Sequence, residues 1–101
     1  MNWQPLINIE KTAIGRGYVF RFPAGYPFGD IVDFMVIEEH DAPIGLKLIC
    51  STGYHAGQTE LILPAESGEK CALSTKWLIE NWQKWVFPNC KVESVKYIEC
   101  Y

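Results

Sequence analysis

The sequence predicts an α+β domain in which an antiparallel β-sheet packs against one long helix in the C-terminal half. Three observations lead there. The β-forming runs "IVDFMVIEE" and "IGLKLICS" are joined by only four or five residues, too few for a parallel crossover. Near Thr75 the apolar spacing changes from two to three or four, and Pro88 stops that pattern. Alternation returns between Val92 and Glu99. The 101 residues have the size of one domain, and 49% hydrophobic with 14% aromatic content is enough for a real core. No repeat, low-complexity tract or linker divides the chain, so residues 1–101 read as a single domain.

Taken in order, the first fifteen residues mix apolar side chains with Gly and Pro and specify only a short strand or helical turn. "GRGYVFRFPAGYPFGD" gives a strand at Tyr18–Phe22 and then a loop. Pro23, Gly25, Pro27 and Gly29 break regular structure there and can hold Tyr26 and Phe28 outward. In "IVDFMVIEE" the alternation is imperfect, but Val32, Phe34, Val36 and Ile37 are β-formers. Asp41-Ala42-Pro43 marks a turn into "IGLKLICS", and the two runs predict an antiparallel hairpin. Gly53 to Gly57 make the next turn, and "TELILP" is a third strand that Pro64 ends, giving a meander.

Ser74 is suited to cap the helix, with Leu73 and Leu78 as its hydrophobic staple. Leu78, Ile79, Trp82, Trp85 and Val86 trace a buried stripe over a helix of about Thr75–Val86, while Trp77, Asn81 and Lys84 point elsewhere. "VESVKYIEC" predicts the last strand.

Nine Lys and Arg against twelve Asp and Glu leave a formal charge of −3, with no basic stripe of the kind a phosphate backbone requires. No direct nucleic-acid partner is expected. The acids Asp30, Asp33, Glu38, Glu39 and Asp41 follow one another with no Lys or Arg between them. Such a run is either a solvated face or a surface matched to a basic partner. "MNWQPLINIEK" lacks a basic region and long apolar stretch of an export signal, and nowhere do eighteen apolar residues run together. No membrane association and a cytoplasmic location are expected. Cys50, Cys71, Cys90 and Cys100 are widely spaced without a CxxC, and only His40 and His55 could join them as soft ligands. Free thiols and no metal site follow.

The catalytic readings fare poorly. Ser51, His55 and Glu60 or Glu66 include the residue types of an acyl-transfer triad, but no GxSxG elbow presents a nucleophile. Cys50 with His55 could make a thiolate pair, yet Cys50 ends the apolar run "GLKLIC", where a core thiol is expected. Glu38 and Glu39 face opposite sides of a strand, Asp30 and Asp33 lack a calcium loop, and Gly15 with Gly17 form only GxG. No catalytic residue and no cofactor is predicted.

"LICSTGYHAG", "LPAES" and "STKWLIENWQKWVFPNC" together resemble the small immunity proteins of bacterial polymorphic-toxin systems. The resemblance runs from about Val36 to Ile98. It rests on Ser51-Thr52-Gly53-Tyr54 with Ala56-Gly57, on Leu63-Pro64 with Glu66-Ser67, and on Trp77-Leu78-Ile79 with Asn81-Trp82 and Trp85. It implies a non-catalytic protein that binds and neutralises a cognate protein toxin stoichiometrically. Many such toxins are nucleases with basic grooves, which the acidic run would complement. A specific interface needs aromatic anchors and a polar rim. On that basis Tyr26, Phe28, Tyr54 and His55 are the expected contact residues, with Asp30, Asp33, Glu38, Glu39 and Asp41 steering the encounter. The alternative is a small non-catalytic binding module or a subunit of a bacterial assembly.

Overall fold

The computed structural model describes residues 2–26 and 28–101. Its strands, in chain order, are β1 (Gln4–Pro5), β2 (Ala13–Ile14), β3 (Val19–Pro23), β4 (Ile31–Glu38), β5 (Leu46–Cys50), β6 (Thr59–Ile62), β7 (Gly68–Glu69), β8 (Ala72–Ser74) and β9 (Lys96–Ile98). Six of them form an antiparallel sheet in the order β1-β9-β3-β4-β5-β6. The expected meander is there as β4–β5–β6, and β3 joins it through the pairs Phe20↔Phe34 and Phe22↔Val32.

The last strand is shorter than its alternation predicts. Val92–Ser94 is a 3₁₀ turn, closed by the Val95 amide on the Val92 carbonyl at 3.0 Å. Only Lys96–Ile98 reach the ladder, where they sit between β1 and β3. A second sheet, β2-β8-β7, was not foreseen, because strands of two or three residues show no period. Its tightest point is Gly68, where any Cβ would collide with the Ala72 carbonyl.

The helix occupies the predicted span but is not one long α-helix. The Ser74 hydroxyl accepts the Trp77 amide at 3.2 Å, as a cap should. α1 then runs only from Thr75 to Asn81, and Trp82–Val86 continues as a π turn. Asn81 leaves helical geometry (φ −114°, ψ 9°), and the Phe87 amide bonds the Trp82 carbonyl five residues back at 2.9 Å. Trp82 is fully buried, edge-on to Phe20 and Phe22 at 5.9 and 5.1 Å. The wider π spacing leaves a residue three positions on short of a full turn. Trp85, expected to face the sheet, is therefore 39% exposed and lies against Trp77 instead, 5.9 Å away.

Strand pairing sorts the side chains onto two faces. One row, including Phe20, Phe22, Val32, Phe34, Val36, Leu46 and Leu48, meets Leu73, Leu78 and Trp82 in the main core. The other row, which the helix does not cover, mixes the apolar Val19, Ile31, Met35, Ile37, Ile49, Ile62 and Ile98 with Arg21, Asp33, Lys47 and Lys96. Apolar residues on both faces of β4 explain the imperfect alternation of "IVDFMVIEE". Over this second face the chain returns after β9, and the Tyr101 hydroxyl reaches Asp33 on β4.

Candidate functional site

The loops β3–β4 and β5–β6 emerge at the same end of the large sheet, because antiparallel neighbours place alternate connections together. In the first, the Ala24 amide bonds the Asp30 carbonyl at 2.9 Å and the Phe28 amide bonds the Gly25 carbonyl at 2.7 Å. Pro27 lies outside the described residues. In the second, the Gly57 amide closes onto the Cys50 carbonyl at 2.7 Å, around a 3₁₀ turn at Gly53–His55. Gly53 enters that turn with φ +69°, a left-handed conformation for which glycine is the natural choice.

A cluster of tilted and edge-to-face aromatic rings joins the two loops. The Phe28 ring sits 5.1 Å from His55, 5.7 Å from Phe87 and 6.3 Å from Phe34. Phe28 is thus half-buried and holds the loops together, rather than pointing outward as the breaker-rich sequence predicts. His55 is also half-buried, its Nδ1 2.9 Å from the Gln58 side-chain oxygen. Above this floor Tyr26 is 100% and Tyr54 93% exposed, with Asp30 exposed in the same loop as Tyr26. A hollow of about 440 Å³ opens beside them, walled by Tyr26, Phe28, Phe87 and Asn89. Phe87 and Asn89 belong to the site only through the fold, since sixty residues separate them from Tyr26 and Phe28.

The acidic run does not form one surface. Glu38, Glu39 and Asp41 lie at the opposite end of β4 from Asp30, roughly 25 Å away at the rise of an eight-residue strand. Glu38 faces Arg16 at 3.5 Å, and both are exposed. Lys47 contacts Glu39 at 2.9 Å, and its ammonium holds that carboxyl below the ordinary carboxylate value. Asp41 is exposed on the β4–β5 turn. That end borders a cleft of about 860 Å³ lined by Glu38, His40, Ile44, Glu69 and Cys71.

Asp33 is not on the surface at all. It is completely buried on the helix-free face, where Arg21 donates from Nε to Oδ1 at 2.8 Å and from Nη2 to Oδ2 at 2.9 Å. The Tyr101 hydroxyl donates to Oδ2 at 2.6 Å. The Arg21 guanidinium in turn lies 4.1 Å over the Trp3 ring. Loss of water around the Tyr101 hydroxyl and its bond to the Asp33 carboxylate push its pKa up to about 12. An acid amid β-formers, with an Arg one strand earlier, is the signal in the sequence that could have disclosed this pair.

The same network decides the chemistry of Ser51. Its hydroxyl is 2.8 Å from that of Tyr101 and 3.3 Å from the Asp33 carbonyl, while His55 is engaged with Gln58. Glu66 stands exposed in a separate 3₁₀ turn, Ala65–Ser67. The Cys50 thiol is buried, which pushes its pKa up, and it bonds the Thr52 carbonyl at 3.2 Å. A pair with a thiolate nucleophile is the reverse of this environment. Among the described residues no group of three or more His, Cys, Asp or Glu is placed to hold a metal ion. No helix among them is long and apolar enough to cross a membrane.

The model of the family described as Immunity protein 45 matches residues 6–97 of this chain. The match begins thirty residues ahead of the Val36–Ile98 resemblance, so β2 and β3 are part of the shared pattern. No curated protein and no solved structure matches the chain.

Proposed function

The chain belongs to the immunity protein 45 family, and from that membership we propose that it neutralises a cognate bacterial toxin by holding it in a stoichiometric, non-catalytic complex. The observation that carries the binding site is the pair Tyr26 and Tyr54, almost wholly exposed on adjacent loops. Tyrosines are favoured anchors because they bury a large ring and keep a polar tip. Here the Phe28–His55–Phe87 ring cluster fixes the loops beneath them, which lowers the ordering cost of binding.

Asp30 beside these rings favours a toxin whose contact surface is basic. A nuclease is the toxin class proposed, and the charge case for it rests on Asp30 rather than on five clustered acids. The bonds of Ser51 to Tyr101 and of His55 to Gln58 support a non-catalytic role. Four unpaired thiols support action in the reducing cytoplasm.

The test is calorimetric titration against the toxin encoded beside this gene. Tyr26→Ala and Tyr54→Ala should each weaken binding by about 10- to 100-fold, the range of interface hot spots, with unchanged circular dichroism. Unaltered affinity in both variants would remove the loop end from the interface. Absence of any complex would refute immunity to that toxin.

A further inference from the structure

We infer that the outer edge of β6 is a strand-docking site, along which a basic extended segment of the toxin adds a seventh strand to the six-stranded sheet. The inference rests on the toxin-binding reading above and extends it from the Tyr54 loop into the strand that follows. The order β1-β9-β3-β4-β5-β6 leaves two edges, and they are not alike. β1 has two residues, one of them Pro5, which has no amide to give. β6 has four, Thr59-Glu60-Leu61-Ile62, with neither Pro nor Lys to block pairing. Its main neighbours are β5 and the π turn, and among the described residues no backbone bond joins it to a third strand.

Alternation of the ladder fixes which backbone groups point outward. The Glu39 amide bonds the Gly45 carbonyl at 2.9 Å, so Lys47, two residues on, turns its own amide and carbonyl toward Ile37 on β4. On the other side the Leu63 amide bonds the Leu46 carbonyl at 3.3 Å, which makes Lys47↔Ile62 the non-bonded pair. Both relations aim the Ile62 N–H and C=O away from β5. Ile62 is 52% exposed, so water reaches this edge. An extra residue at Glu60 shifts the register against Leu48 and Ile49, and the regular stretch is the Ile62 end.

Position and charge select the occupant. Thr59 follows Tyr54 by five residues, a reach of at most about 18 Å, so a toxin seated on Tyr54 lies beside this edge. Glu60 makes no ion pair among the described residues. Loss of water pushes its carboxyl above the ordinary carboxylate value, with nearby His55 acting in the opposite direction. A Lys or Arg on the incoming strand satisfies it. A second copy of this chain would instead bring another Glu60 to the same edge, and like charges across a strand pair repel. Only an extended backbone uses the Ile62 amide and carbonyl together.

Amide hydrogen exchange of the full chain, read by NMR with and without the toxin encoded beside this gene, tests the edge without any variant. The Ile62 amide should exchange freely in the unbound protein and at least about 10-fold more slowly in the complex. In calorimetric titration, Ile62→Pro removes that amide without touching the β5 ladder and should weaken binding at least about 10-fold, with circular dichroism checking the fold. Ile62→Thr keeps the amide and a β-former and should stay within about 3-fold of wild type. Unchanged Ile62 exchange in the complex overturns the inference, as does an Ile62→Pro that folds and binds like wild type. If Tyr26→Ala and Tyr54→Ala weaken that complex, the loop-end reading outlives the edge. If Ile62→Pro alone weakens it, the edge stands and the loop end falls. Protection of Ile62 that grows with protein concentration in the absence of toxin assigns the edge to a second copy and overturns the inference. Absence of any complex overturns both readings.

Discussion

At the scale of single residues, the tightest constraint is a carboxylate with no access to water. Asp33 is tolerated inside because Arg21 and Tyr101 both donate to it, and the Trp3 ring lies against the guanidinium. The two partners are unequal, since Arg21 keeps 38% of its side chain exposed and Asp33 none. Removing Arg21 therefore strands a buried charge, whereas neutralising Asp33 leaves a cation that can turn to solvent. Arg21→Met should cost about 3 kcal/mol and Asp33→Asn about 1–2 kcal/mol. Urea unfolding measures both, and equal losses would contradict this asymmetry.

Tyr101 adds a pH signature. Its folded pKa of about 12 exceeds the ordinary 10.0, so the fold favours the protonated phenol. That stabilisation is complete below about pH 10 and is lost as pH rises through 12. The gap in unfolding midpoint between wild type and Tyr101→Phe should close across that window. A constant gap would show that the hydroxyl contributes nothing specific.

At the scale of elements, the helical segment shows how a periodic pattern misplaces one residue. Trp82 and Trp85 belong to the same stripe in an unbroken α-helix, but the turn from Trp82 to Val86 is π-helical and rotates Trp85 out. Trp82→Ala should cost about 3–5 kcal/mol through lost burial and a cavity between Phe20 and Phe22. Trp85→Ala should cost less than about 1 kcal/mol, mainly its contact with Trp77. Thermal unfolding of the two variants gives the order, and similar losses would mean that the π turn does not persist in solution.

At the scale of the whole molecule, the acids that adjoin one another in sequence are, apart from the buried Asp33, divided between the two ends of the sheet. A separation of roughly 25 Å exceeds the screening length of about 8 Å at physiological ionic strength, so the ends act independently. Asp30→Asn, beside the exposed tyrosines, should slow toxin association and flatten its salt dependence. Asp41→Asn, at the far end, should do neither. Stopped-flow association at low and high salt separates them; a stronger effect from Asp41 would move the toxin contact to the cleft end.

The sequence by itself determined the α+β class, the β4–β5–β6 meander with its glycine turns, the Ser74 cap and the helical span Thr75–Val86. Each depends on spacing or local geometry that neighbouring residues dictate. It also identified Tyr26 and Tyr54 as candidates, because breakers around an aromatic ring signal a loop. Only the tertiary structure decided the rest. Whether Phe28 faces water depends on Phe87, nearly sixty residues later, and whether Asp33 is a surface acid depends on Arg21 in β3 and on Tyr101 in the segment after β9. The strands of β2-β8-β7 are too short to carry a period, and the exposed isoleucines of the second face look like core residues in any strand pattern. Periodicity says which side chains share a face; what covers that face is settled by parts of the chain far away in sequence.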